Sequence, residues 1–321
     1  MKIAMFHERG IAMKSLCLFM LFFAALTLAV SAQQQPKPTP QEWKAVEGAM
    51  NRPGELQPDG AFKFSMPRKD LNVTAAGTQV KAGFALGSWA AFNKMGNRAM
   101  VMGDLVLTED EVGPVMRKLL HGGIEVTALH NHLLHENPRV MYMHIGGMGD
   151  PVKLAQAVNA ALALTKTPPA DAGGAQEQTQ IGIDTAQIEQ ILGQKGKVKG
   201  GILQFSVPRA KPTMFQPMGS DSLTGGAHIP NSMGIAQAIN FQPTGDGKAA
   251  ITGDFVLIAK EVNPVMRALL DNGVAVTALH SHMVDEQPRL FFMHFWANDD
   301  AAKLAKGVRA ALDRIDVKKG Q

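Results

Sequence analysis

Six histidines of this 321-residue chain fall in one pattern that is used twice. His130-x-His132 is followed after eleven residues by His144, and His280-x-His282 is followed after eleven by His294. Imidazole both titrates near neutrality and ligates transition metals. On a strand, residues i and i+2 project to the same face, so His130 and His132 point together, on the parity of Val126 and Ala128. An antiparallel return strand brings His144 across from them. Three imidazoles on one face of a hairpin suit zinc, which in catalytic sites keeps three protein ligands and one open position. Copper, nickel or iron accept the same donors. Glu136 and Glu286, in the hairpin loops, are placed as fourth ligand, as partner to the second nitrogen of a ligating His, or as general base toward a metal-bound water. Arg139 and Arg289 each follow a proline; they hold the loop or bind an anionic substrate.

The pattern has two further readings, a non-catalytic metal or ligand holder and a packed histidine network of structural kind. Its surroundings differ between the copies. Asn131 corresponds to Ser281, His135 to Asp285, and Met141-Tyr142 to Phe291-Phe292, while the six His positions are kept. His121, His135 and His228 have no counterpart in the other copy and read as surface or loop residues. Arg68 and Arg209 read as members of structural ion pairs, Glu111 and Glu261 as helix caps, and Asp104 and Asp254, each after Gly, as turn residues. Most of the 19 methionines read as core fillers.

The elements that must position these residues repeat as well. At an offset of 150, GDLVLTEDEVGPVMRKLL meets GDFVLIAKEVNPVMRALL and IEVTALHNHLLHENPRVMYMH meets VAVTALHSHMVDEQPRLFFMH. FSMPR and FSVPR pair further upstream. Each copy reads as a short opening helix, a strand with the FS(M/V)PR motif, a Gly-rich stretch and a strand entering Gly-Asp. A helix, the HxH hairpin and an amphipathic closing helix follow. The start of the middle helix is open: Thr108 with Glu111 resembles a capping box, whereas Asn263-Pro264 resembles a cap followed by a first-turn proline. Adjacent hairpins with few helices predict an α+β fold, two homologous tandem domains each with a mainly antiparallel sheet flanked by helices. The expected boundaries are a first domain over 41–165, a Pro/Gly/Gln-rich linker over 166–183 and a second domain over 184–317.

Residues 1–32 read as a secretory signal: a basic start, the apolar run Leu16–Val30, and the small residues Ser31-Ala32, with cleavage expected after Ala32. Met1 and Met13 are both possible starts, and residues 33–40 form a polar tether. The protein is therefore expected in the periplasm or secreted, with no stable membrane anchor after cleavage. The formal charge of +4 includes Lys2, Arg9, Lys14 and Glu8 of that leader, which leaves +2; no footprint for nucleic acid remains. The single Cys excludes an intramolecular disulfide and CxxC metal sites. Neither a GxSxG elbow, a P-loop nor a dinucleotide fingerprint is present.

The duplicated block, with TALH(N/S)H at its centre and FS(M/V)PR upstream, resembles the LppY/LpqO-like family of bacterial exported proteins, a duplicated domain of unknown function. The resemblance covers nearly the whole chain after the leader. It does not extend to lipid anchoring, because no Cys stands at the cleavage junction. The HxH…H hairpin alone is similar to the zinc site of acetolactate decarboxylase-like domains. That resemblance implies zinc on His130, His132 and His144, and on His280, His282 and His294, with decarboxylation or ester hydrolysis at an open position. Together these features predict an exported protein with a divalent metal, zinc first, acting on a small molecule as a hydrolase or holding it without catalysis.

Overall fold

In the computed structural model, residues 38–169, 181–215 and 227–320 are described. The leader expected over 1–32 and most of the tether expected over 33–40 lie outside them. Each repeat begins with a capped helix. In the first, a single 3-10 turn over Pro40–Trp43 leads into α1 (Lys44–Met50). Then come β1 (Glu55–Leu56), β2 (Phe62–Pro67), β3 (Val73–Ala75), β4 (Thr78–Val80), α2 (Ala82–Ala85), β5 (Gly87–Met95) and β6 (Arg98–Thr108). The repeat closes with α3 (Glu109–His121), β7 (Glu125–His130), β8 (Glu136–Asn137), β9 (Val140–Gly149) and α4 (Pro151–Leu162). The second repeat opens with α5 (Thr185–Leu192), β10 (Lys197–Lys199), β11 (Ile202–Pro208), β12 (Met214–Phe215), β13 (Ala227–His228), β14 (Ala236–Gly245) and β15 (Lys248–Leu257). It ends with α6 (Ala259–Asp271), β16 (Ala275–His280), β17 (Glu286–Gln287), β18 (Phe291–Asp300) and α7 (Ala301–Leu312).

Two six-stranded antiparallel sheets result, in the orders β1-β2-β5-β6-β9-β7 and β10-β11-β14-β15-β18-β16. The fold is α+β, with the same order in both copies. Period-2 alternation divides each sheet into two faces. Along β6, Val101, Leu105 and Leu107 join Phe62, Phe64, Phe92, Val115, Leu119, Leu154 and Val158 in a core beneath α1, α3 and α4. The other parity, Met100 and Met102, packs with Ile229, Met233, Val256 and Phe292 of the second repeat. The second sheet does the same: Ile251, Phe255 and Leu257 face α5, α6 and α7. Ala250 meets Val73, Phe84, Val106 and Tyr142 of the first repeat. Each sheet thus has a helix face and a face turned to the other repeat.

Arms from each repeat lock the arrangement. The β3–α2 arm reaches the second repeat, where the Gln242 side chain accepts from Lys81 N (2.9 Å) and donates to Gln79 O (2.6 Å), and Phe84 meets Trp296 edge-on. The arm before β14 reaches back: Ser232 donates to Asp59 (2.7 Å), and Lys63 donates to Ser232 O (2.9 Å). Lys63 also lies over the Trp89 ring.

The middle helix begins at Glu109 and Ala259, with Glu111 and Glu261 accepting from Thr108 N and Ile258 N. Asn263-Pro264 is therefore not a helix start: Pro114 and Pro264 both lie inside the helix. The acidic side chain at the third position fixes the start, because it satisfies the cap amide that proline placement does not. Arg68 and Arg209 pair with these same glutamates at 2.7 Å. Among the described residues, no helix is long and apolar enough to cross a membrane.

Candidate metal centre

The centre lies on the faces that the two sheets turn to each other. His144 belongs to β9 and His294 to β18, both on the inner parity. Asp104 stands directly opposite His144 across β6 and β9, and Asp254 opposite His294 across β15 and β18. Asp104 and Asp254 are therefore strand residues, not turn residues. The Gly-Asp pair signals a turn locally, but here Gly103 and Gly253 serve close strand approach, and the following Asp takes the inward parity. A strand parity shared with Met100 and Met102 is the signal that would have found Asp104.

His130 and His280 are the last residues of β7 and β16; His132 and His282 lie just beyond, in the bends that follow. The two bends are tied reciprocally. Thr127 donates to His282 O (2.6 Å), and Thr277 donates to His132 O (2.5 Å). Asn131 donates to Thr277 O (3.1 Å). These bonds cross from one repeat to the other, and so do the ring contacts. Ring centroids lie 3.5 Å apart for His130 and His280, 3.9 Å for His132 and His294, and 3.7 Å for His144 and His282. The hairpins do not make two separate sites, one per half. All six imidazoles meet in one cluster between the repeats.

The hydrogen bonding selects how the rings present themselves. Nδ1 of His130, His280 and His294 lies 3.0, 3.2 and 2.9 Å from the carbonyls of Asn131, Ser281 and Gly253. A nitrogen beside a carbonyl carries the proton, so Nε2 of these rings offers a lone pair. Nε2 of all six histidines is buried without a hydrogen-bond partner, as is Oδ1 of Asp104 and of Asp254. Carboxylate oxygens face two of the imidazoles: Asp104 Oδ2 is 3.4 Å from His132 Nε2, and Asp254 Oδ2 is 3.1 Å from His282 Nε2. Burial, then the neighbouring histidines, push His132, His282 and His294 far below the ordinary imidazole range. His144 is also pushed well below that range, by burial and then His282, and His280 falls to about 3. Neutral imidazoles are the ligating form. Burial raises the Asp254 carboxyl to about 6.

Four groups bring ligand atoms within 4.8 Å of one another: Asp104–His130–His132–His144, His130–His280–His294, His144–His280–His282, and Asp254–His282–His294. Glu136 and Glu286 belong to none of them. Each sits in the short strand after the bend, with one carboxylate oxygen buried and unpartnered. Burial pushes Glu136 up to about 7 and raises Glu286, whose Oε1 accepts from Leu290 N. Tyr142 stacks on His132 at 3.4 Å, and Phe292 on His282 at 3.3 Å. Arg139 is exposed beside Glu109; Arg289 donates to the carbonyls of Met283 and Val284 within its own loop. His121, His135 and His228 are exposed.

The flanks of the centre differ. Trp89 is the strand partner of Asp104, whereas Ala238 is the partner of Asp254. Gly234 lies tight against Trp89 and next to His282.

Residues 44–164 and 186–314 match the family described as Domain of Unknown Function (DUF1259). The chain belongs to that family. One DUF1259 copy covers each repeat, and each copy supplies three histidines and one aspartate to the centre. No curated protein matches the chain. Two solved structures show a low-level likeness. The trimeric bacterial microcompartment shell protein PduB has 12% identity, covering 83% of this chain and 95% of that one, at a TM-score of 0.20. EtuB from Clostridium kluyveri has 9% identity, covering 81% and 90%, at a TM-score of 0.18. Likeness at these scores bears on neither the fold nor the function of the DUF1259 repeats.

Proposed function

We propose that the protein binds a divalent transition metal, zinc first, in a centre built jointly by its two repeats. The observation that carries this reading is the set of six buried Nε2 atoms without hydrogen-bond partners, gathered at one place. A buried polar atom left unmatched costs about 1–3 kcal/mol, and a shared metal ion is a partner that would meet several of them at once. Imidazole and carboxylate donors suit zinc, and neutral rings held by carbonyls at Nδ1 are the arrangement that metal-ligating histidines adopt. The leader and the LppY/LpqO-like resemblance support an exported protein working on an ion or small ligand in the periplasm or outside the cell.

Holding an ion is the primary reading, because Asp104–His130–His132–His144 supplies a full four-ligand shell and its donor atoms are buried. Closed shells of this kind belong to structural or storage sites. Zinc-dependent hydrolysis is the second reading, and Glu136 favours it. Its carboxyl titrates near 7, has an unpartnered oxygen and stands by Tyr142, which stacks on His132. A group with those properties can shuttle a proton for a metal-bound water.

Metal content of the protein purified without chelator or polyhistidine tag tests the proposal. Bound zinc or another transition metal is expected, with loss in His132→Ala and also in His282→Ala. Absence of metal, and no uptake of zinc or copper by the folded protein, overturns it. Ester or lactone hydrolysis that disappears in Glu136→Gln, with metal retained, would move the second reading to first place.

A further inference from the structure

Eight donors converge on the centre: six imidazole nitrogens and the carboxylates of Asp104 and Asp254. A zinc ion takes four. One ion would leave four of these donors unligated, with the Asp104–His132 and Asp254–His282 contacts as the partners at hand. The geometry offers a way to match all eight. Asp104–His130–His132–His144 and Asp254–His282–His294 are ligand sets that share no residue, so both can be filled at once. The remaining donor, His280, lies within 4.8 Å of His282 in one group and of His294 in another. It stands outside the Asp254–His282–His294 group, but it is the counterpart of His130 in the duplicated pattern, and on that correspondence it joins the second set as its third imidazole.

We infer that the centre holds two divalent ions, one per repeat, each with three imidazoles and one carboxylate. This rests on the metal-binding reading above. The two shells are in contact, not independent. His130 of one shell stacks on His280 of the other at 3.5 Å, His132 on His294 and His144 on His282. Each bend is also held by a threonine of the other repeat. Two dications face two carboxylates, and each ion has one anionic ligand beside it. That distribution limits repulsion between ions held so close. A ligand lost from one shell is then felt by the other through the ring stacks.

Cobalt(II) loading of the metal-depleted full-length chain tests this, because cobalt accepts the same donors and is paramagnetic. Native mass spectrometry at saturation is expected to count two ions, and electron paramagnetic resonance to show a spin-coupled pair. Asp104→Asn and Asp254→Asn, which preserve side-chain shape, should each leave one tightly held ion and an uncoupled cobalt signal. Circular dichroism confirms that both are folded, and the wild-type count and coupling decide the matter even if a variant does not fold. A single ion at saturation, lost alike in both variants, overturns the two-ion centre and leaves the metal-binding reading standing. Two ions without magnetic coupling also overturn it, since the shells would then be apart. A folded protein that takes up no cobalt, zinc or copper removes both readings together.

Discussion

Arg68 is fully buried, and its guanidinium is held by Glu111, Asp70 and the Val106 carbonyl. Glu111 also caps α3 at Thr108 and accepts from Lys166 N. Arg209 and Glu261 repeat the arrangement, with Asp316 N in the last role. Removing one partner of a buried pair leaves an unmatched charge, which costs about 3–5 kcal/mol. Glu111→Ala is accordingly expected to lower the urea unfolding free energy by about 3 kcal/mol, and a loss under about 1 kcal/mol would contradict this account. The pH dependence follows from the same residues. Burial alone would raise the carboxyls of Glu111 and Glu261, but the arginine hydrogen bonds and cap amides hold both below the usual 4.5. A lowered folded-state value means that the unfolded chain takes up the proton first. The stabilisation is complete above 4.5 and fades as the pH falls through the lower folded-state value. A Glu111→Gln, Glu261→Gln double variant should therefore be less stable at neutral pH yet lose less on acidification, which stability curves over about pH 6 to 3 will show. The repeated Arg and Glu were legible in the sequence as structural residues. The role of Asp104 was not, because a lone Gly-Asp carries the same local signature in a turn as in a closely packed strand.

At the scale of elements, Gly103 and Gly253 set how near their strands approach. A Cβ on Gly253 would meet Ala238 O at 2.1 Å and the Phe295 ring at 2.6 Å; one on Gly103 would meet Trp89 O at 2.6 Å. Backbone cannot yield as a flexible side chain can, so Gly253→Ala must push β14 and β15 apart. An overpacking cost of about 3 kcal/mol is expected. The next residue is Asp254, so the carboxylate moves with the strand. Gly253→Ala should weaken metal binding at least tenfold in a competition titration, while Gly113→Ala, on the exposed face of α3 with open space around it, should leave affinity unchanged. Equal effects from the two would show that the close approach does not position Asp254. The hairpin itself could be read in advance, because β7 and β9 follow from apolar runs and the HxH parity. That His132 lies past the end of its strand could not: the bend is set by contacts with Thr277 of the other repeat.

The whole molecule adds what neither repeat contains. The duplication was plain at an offset of 150, and with it the order of elements in each half. The joining of the two histidine sets was not, since local periodicity says which face a residue occupies and nothing about what covers that face. Met100 and Met102 of the first repeat share one buried cluster with Val256 and Phe292 of the second. Chains cut within 166–183 and produced as separate halves should each expose this surface and aggregate or seek the missing partner. Mixed, they should co-elute as a one-to-one complex and regain metal binding. A half that is monomeric and binds metal with full affinity by itself would contradict the joint centre.

Fusion of the two copies also releases them from the strict dyad that two identical chains would obey. The flanks show the release. Against Trp89, the Asp104 and His282 side chains keep 7% and 3% of their exposure, whereas His132 and Asp254, on the Ala238 side, keep 16% and 17%. His132 stacks on His294, the strand partner of Asp254, so these two less covered groups share one edge of the centre. We expect an ion to enter and leave past this less covered edge. Ala238→Trp, which copies the closed flank onto the open one, should slow the escape of metal to a chelator far more than it changes the equilibrium affinity. Trp89→Ala should open a second route and speed escape. What a homodimer would have to do twice or not at all, a fused chain is free to do on one side only, and exchange rate then becomes a property that one residue can set.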